Sequence, residues 1–111
     1  MKTANINAIE YVDKLEIFEG SNTFSVNEGY GELYVVYSYG HHFPMYIYDR
    51  QDKLWIGNKD KYSRTTTKHQ SQCEPSKGVE RWLHTDQMRE YIIDYRKLVL
   101  INGIEVEFIH S

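Results

Sequence analysis

The chain has 111 residues, 41% of them apolar and 26% charged. That is the size and composition of one folded domain, and it excludes two independent cores, a collagen-like or linker-like polymer and wholesale disorder. The net charge of −3 is unevenly spread, with −5 over residues 1–49, +4 over 50–81 and −2 over 82–111, so opposite-signed faces that steer charged partners are expected.

In chain order, Ile6, Ile9 and Val12 fall on one side of a short helix, and Leu15 and Ile17 alternate with charged neighbours as a strand does. Glu19-Gly20-Ser21-Asn22 reads as a turn, after which Thr23 to Val26 can pair back. The clearest strand is Glu32 to Tyr39. Leu33, Val35, Tyr37 and Tyr39 take one face, and Tyr34, Val36 and Ser38 the other. Both faces are largely apolar or aromatic, which predicts a central strand covered on both sides. Gly40-His41-His42-Phe43-Pro44 connects it to strands at Met45–Tyr48 and Leu54–Ile56, an antiparallel meander. The polar stretch 57–81 leaves room for a second, short helix starting at Thr66 or Thr67 and stopped by Pro75 and Gly78. Thr85 caps a long helix with Asp86 in its first turn. Met88, Tyr91, Ile92 and Tyr95 form its apolar stripe, and Arg96 and Lys97 close it. Asn102-Gly103 then predicts a hairpin between Leu98–Ile101 and Ile104–Ile109. The expected fold is α+β in a single domain over 1–111: an antiparallel sheet, made of the central meander plus the C-terminal Asn-Gly hairpin, with helix packed on a face.

No apolar run approaches the roughly 18 residues of a membrane span, and no long apolar stretch follows Lys2 as a secretory signal would require. The single cysteine, Cys73, makes neither an internal disulfide nor a cysteine-based zinc centre, so a cytoplasmic location is expected. Glu74 beside it disfavours a reactive thiolate. No phosphate-cradling glycine loop and no nucleophile elbow is present.

Four constellations could carry chemistry. His41 and His42, with His69, Asp49 or Asp60 as a third ligand, are the residue types of a metal site, without a spacing that forces one. His41 or His42 with His69, Arg64 and Lys68 supply the two imidazoles and the cation of metal-free RNA cleavage. The segment 58–72, with Arg64, Lys68, hydroxyls and amides, can hold phosphate oxygens while Tyr46, Tyr48, Trp55 and Tyr62 stack bases; the acidic net charge runs against this. Finally, ten tyrosines in so short a chain suit a protein interface, because tyrosine buries a large area with few rotors and keeps a polar end; the competing use is a core edge with the hydroxyls in water.

The stretch Tyr34-Val35-Val36-Tyr37-Ser38-Tyr39-Gly40-His41-His42-Phe43-Pro44, followed by Trp55, Asn58, Lys59, Tyr62, Ser63, Thr66, Lys68, His69 and Gln70, resembles small proteins of phages, plasmids and other mobile elements, over roughly residues 33–75. The chain also resembles the shared domain of some anti-CRISPR proteins of low-GC Gram-positive bacteria. That resemblance implies a non-enzymatic inhibitor without cofactor, acting in the host cytoplasm by binding a Cas9-type nuclease or its guide-RNA complex. Such nucleases carry positively charged channels for guide and target. The acidic N-terminal half, with Glu16 and Glu19, could enter such a channel, and the basic segment 50–81 could touch the RNA. The expected contact residues are therefore Glu16, Glu19, His41, His42, Phe43, Tyr62, Arg64, Lys68, His69 and Gln70. A small single-stranded nucleic-acid-binding module is the alternative, and a metal-independent nuclease the third.

Overall fold

Every residue from Leu33 to Ser38 is buried, as the apolar and aromatic side chains on both sides of this strand require. The computed structural model describes residues 7–29, 31–41, 43–61 and 63–102, with side chains through Tyr95. β1 (Thr23–Glu28), β2 (Leu33–Ser38), β3 (Pro44–Asp49) and β4 (Leu54–Asn58) form an antiparallel meander, and β5 (Arg81–Leu83) joins β4 in parallel, giving a five-stranded sheet in the order β1-β2-β3-β4-β5. Helices α1 (Ala8–Asp13), α2 (Arg64–Cys73) and α3 (Thr85–Asn102) complete an α+β fold.

Alternation along the strands sorts the core into two layers. On one face Tyr34, Val36, Tyr46 and Trp55 pack with Ala8 and Val12 of α1, Phe18, and Cys73 of α2. On the other, Leu33, Val35, Tyr37, Ile47 and Ile56 pack with Met88 and Ile92 of α3. Each large apolar side chain buried in this way contributes about 1.5–3 kcal/mol, so two such layers hold the domain together without a disulfide.

Turns between the strands are set by side-chain chemistry. Asp49 accepts the backbone N–H groups of Gln51 (2.9 Å) and Asp52 (3.2 Å), and Lys53 takes a left-handed φ of 56° that lets its N–H reach Asp49 C=O at 2.7 Å. Aspartate-initiated turns of this kind are a common way to close a hairpin. Pro44 opens β3, where a missing N–H is tolerated, next to a register shift between Val36 and Tyr37.

Several expectations are corrected. The sheet is mixed and not purely antiparallel, because Arg81–Leu83 joins β4 in parallel; it is too short and too exposed to show an alternating pattern in the sequence. Leu15–Ile17 is not a regular strand: Leu15 sits at φ 57°, and the chain then runs as a strap beside β1. Tyr39 leaves the face of Leu33, Val35 and Tyr37 by taking φ 67°. The cap of α2 is Ser63, whose side chain accepts from Thr66 N–H at 3.1 Å, in place of Thr66 or Thr67. Pro75 does end that helix, with Glu74 held extended before it. Residues 98–101, expected as the first strand of a C-terminal hairpin, lie within α3; the rest of that hairpin, 103–111, lies outside the described residues.

Candidate functional site

The polar segment after β4 proves to be a framework of internal hydrogen bonds. Asn58, fully buried, donates through Nδ2 to Pro44 C=O (2.8 Å) and to Thr85 Oγ1 (3.0 Å), while its Oδ1 accepts from Asp60 N–H (2.8 Å). Gln70 Nε2 donates to the carbonyls of Asn58 (3.0 Å) and Asp60 (3.2 Å), and Gln70 Oε1 accepts from Lys61 Nζ (3.3 Å). Tyr46 OH donates to Gln70 C=O at 2.8 Å. One network thus ties β3, β4, α2 and α3 together, and its buried members are satisfied as low-dielectric surroundings demand.

Asp60 anchors the far end of this network. Its carboxylate accepts Thr85 N–H at 2.7 Å and faces His84 Nδ1 at 2.8 Å, and His84 N–H in turn donates to Gln87 Oε1 at 2.8 Å. The first turn of α3 is therefore capped from inside and outside the helix. The Thr85 backbone N–H, then His84, hold the Asp60 carboxyl at about 2, below the usual carboxylate range.

His69 is 3% exposed, and its Nδ1 lies 2.8 Å from Ser38 Oγ. Burial, with Lys68 adjacent, pushes its pKa down, so it is the neutral imidazole near neutral pH. His41 instead packs its ring on Tyr37 (4.8 Å) and Phe24 (5.0 Å). Tyr37 and Ser38 are successive residues of β2 and point to opposite faces, so His41 and His69 sit on opposite sides of the sheet. The paired-imidazole arrangement for RNA cleavage is not assembled by these two. Asp49 and Asp60 are likewise held apart by separate partners, Tyr91 and Thr85. Among the described residues no group of three or more His, Cys, Asp or Glu side chains could hold a metal ion.

The expected contact residues therefore divide. Phe43, His69 and Gln70, expected to touch a partner, lie in the interior: all three are buried, Phe43 within the first core layer and the other two with polar atoms bonded inward. Arg64 and Lys68 are exposed and one helical turn apart on α2. Glu16, Glu19 and His41 are exposed. His42 and Tyr62 lie outside the described residues.

Among the described residues, five of the chain's ten tyrosines are anchored through their hydroxyls. Tyr34 OH donates to Glu16 C=O (2.7 Å), Tyr37 OH to Glu28 (2.9 Å), Tyr91 OH to Asp49 and Tyr95 OH to Gln51 (2.6 Å), so together with Tyr46 these side chains fill the core edge and lock turns. Burial pushes the Tyr34, Tyr46 and Tyr91 hydroxyls up, and the Cys73 thiol up to about 12, which makes that thiol inert. Among the described residues the exposed large hydrophobic side chains are Ile17 (42%), Tyr39 (58%), Trp82 (43%) and Ile93 (41%).

Ile17 and Tyr39 border an open groove of about 410 Å³ beside β1, floored by Phe24 and Val26. Sequence reasoning placed Ile17 and Tyr39 in strands and so missed them as surface. Ile17 faces outward beside the buried Phe18, and Tyr39 leaves its strand through a left-handed φ of 67°, which its residue type does not announce.

No family model, no curated protein and no solved structure matches this chain.

Proposed function

We propose that this chain is a non-enzymatic interaction protein that grips another macromolecule, and that its target is the Cas9-type nuclease implied by its resemblance to anti-CRISPR proteins. The observation that carries the binding reading is the open groove at the β1 edge, where Ile17 and Tyr39 stand exposed next to the carboxylate of Glu19. Exposed aliphatic and aromatic side chains beside charge are the usual makings of an anchor within a polar rim. His69, one of the imidazoles that metal-free RNA cleavage would need, is instead engaged with Ser38 in holding the fold.

The test is binding of the purified chain to a purified Cas9–guide complex, before and after RNase digestion. A complex that survives digestion supports a protein target. A complex seen only with intact RNA favours the second reading, a single-stranded nucleic-acid binder. That reading rests on Arg64 and Lys68, which present two cations from one face of α2 as phosphate binding requires. No complex in either condition removes the nuclease as target.

A further inference from the structure

Resting on the binding reading above, we infer that the strap Glu16–Gly20 and the groove beside it receive an extended, basic segment of the partner protein, added as a further strand to the edge of the sheet.

The strap is already paired to β1. Ser25 N–H donates to Phe18 C=O (3.0 Å), Gly20 N–H to Thr23 C=O (2.6 Å) and Phe18 N–H to Ser25 Oγ (3.0 Å), with Glu19 opposite Phe24. Tyr34 OH and Ser25 Oγ both donate to Glu16 C=O, at 2.7 and 3.3 Å. A strand-like segment alternates the direction of its backbone groups as well as its side chains. Since Phe18 turns its N–H and C=O toward β1, Ile17 and Glu19 turn theirs away, and no hydrogen bond among the described residues takes them. Among the described residues the strap therefore ends the sheet with an open edge, the feature that accepts strand addition.

Side-chain alternation matches the groove. Phe18 is 1% exposed and enters the core layer under α1 and α2. Ile17 and Glu19 project to the opposite face, where Phe24 and Val26 form the floor. An added strand would lay alternate apolar side chains on Ile17, Phe24 and Val26. Charge selects its composition: the exposed carboxylate of Glu19 lines the groove, and none of the groove's lining residues is a lysine or arginine. Lysine or arginine alternating with β-branched residues fits both requirements.

The test is titration of the isotope-labelled full chain with a blocked peptide of alternating Lys/Arg and Val, and with its Glu/Asp counterpart, followed by amide NMR. Saturable shifts at Ile17, Glu19, Val26 and Tyr39 with the basic peptide alone are expected. Glu19→Lys, on an exposed side chain, should weaken that binding about tenfold, since it turns an attraction into a repulsion, while leaving the thermal midpoint in place. Ile17→Asp should weaken it further. Equal response to both peptides, shifts confined to α2, or shifts that follow chain concentration without peptide and so reveal a second copy on the edge would each overturn the inference. Failure here and failure of the binding reading separate cleanly. A wild-type chain that inhibits the nuclease no better than Glu19→Lys removes the groove and leaves that reading standing. A chain that binds the peptide at the groove but not the nuclease does the reverse.

Discussion

Gly57 and Trp82 are partners across the parallel β4–β5 pair, and the indole of Trp82 occupies the space a side chain at position 57 would need. A Cβ on Gly57 would lie 2.7 Å from Cζ3 of that ring, 2.9 Å from Cε3 and 3.0 Å from a methyl of Val79. Glycine is required here for close approach. Trp82, although 43% exposed, is thereby held against the sheet, and it marks where the short β5 docks.

Gly57→Ala should therefore destabilise the fold by about 1–3 kcal/mol, the usual cost of overpacking. Trp82→Ala in the same chain should restore most of that loss. Urea unfolding of the two single variants and the double variant checks this, and additive losses would show that the ring is not what excludes the methyl.

Asp60 gives an acid-sensitive cap. Its folded-state pKa of about 2 lies below that of a free carboxylate. The contribution is thus complete above the unfolded value near 4 and is lost as pH falls toward about 2. Asp60→Ala should cost about 0.5–2 kcal/mol at neutral pH, the range of a lost helix cap, and should flatten the stability profile below pH ~4. Urea midpoints measured across that window decide it, and a wild-type slope retained in Asp60→Ala would exclude Asp60 as its source.

His69 acts in the other part of the pH scale. Its pKa is lowered by burial, so the unfolded chain takes up a proton before the folded one does. Stability is full above the ordinary histidine value near 6.5 and falls as pH drops below it. His69→Leu should remove this slope while costing about 1–3 kcal/mol at neutral pH, because Ser38 Oγ loses its partner at 2.8 Å. The check is the unfolding free energy between pH ~5 and ~7, where an unchanged slope would point to another histidine.

Asn58 is the hub of the buried network, so Asn58→Ala should be among the more damaging single substitutions, by about 2–4 kcal/mol. It strands Pro44 C=O and Thr85 Oγ1 together. Tyr46→Phe, which removes one hydroxyl from Gln70 C=O, should cost only about 0.5–1.5 kcal/mol. Similar losses for the two would contradict a network centred on Asn58.

How much of this was legible in the sequence depends on the length scale of the interaction. The meander was readable because Leu33–Ser38 and its neighbours alternate over several residues, and burial on both faces follows from the residue types. The strand β5 was not, because three residues, Arg81-Trp82-Leu83, pair through backbone groups that any side chain permits. The hydroxyl- and amide-rich stretch 58–72 looked like a surface for phosphate. A pattern of polar residues cannot say which way they point, and Asn58, Thr66, His69 and Gln70 point inward. Arg64 and Lys68, by contrast, are exposed one turn apart on α2, a spacing that an expected helix start at Thr66 or Thr67 did not reveal. The groove depended on Leu15 and Tyr39 adopting left-handed backbone, which neither residue type announces.

The central claim, that this chain acts by gripping a guided nuclease, is tested most directly by target-DNA cleavage by a Cas9–guide complex at rising concentrations of the purified chain. Cleavage that falls to completion at a fixed molar ratio, and that returns with Glu19→Lys together with Ile17→Asp, is the predicted result. Undiminished cleavage at saturating chain would contradict it.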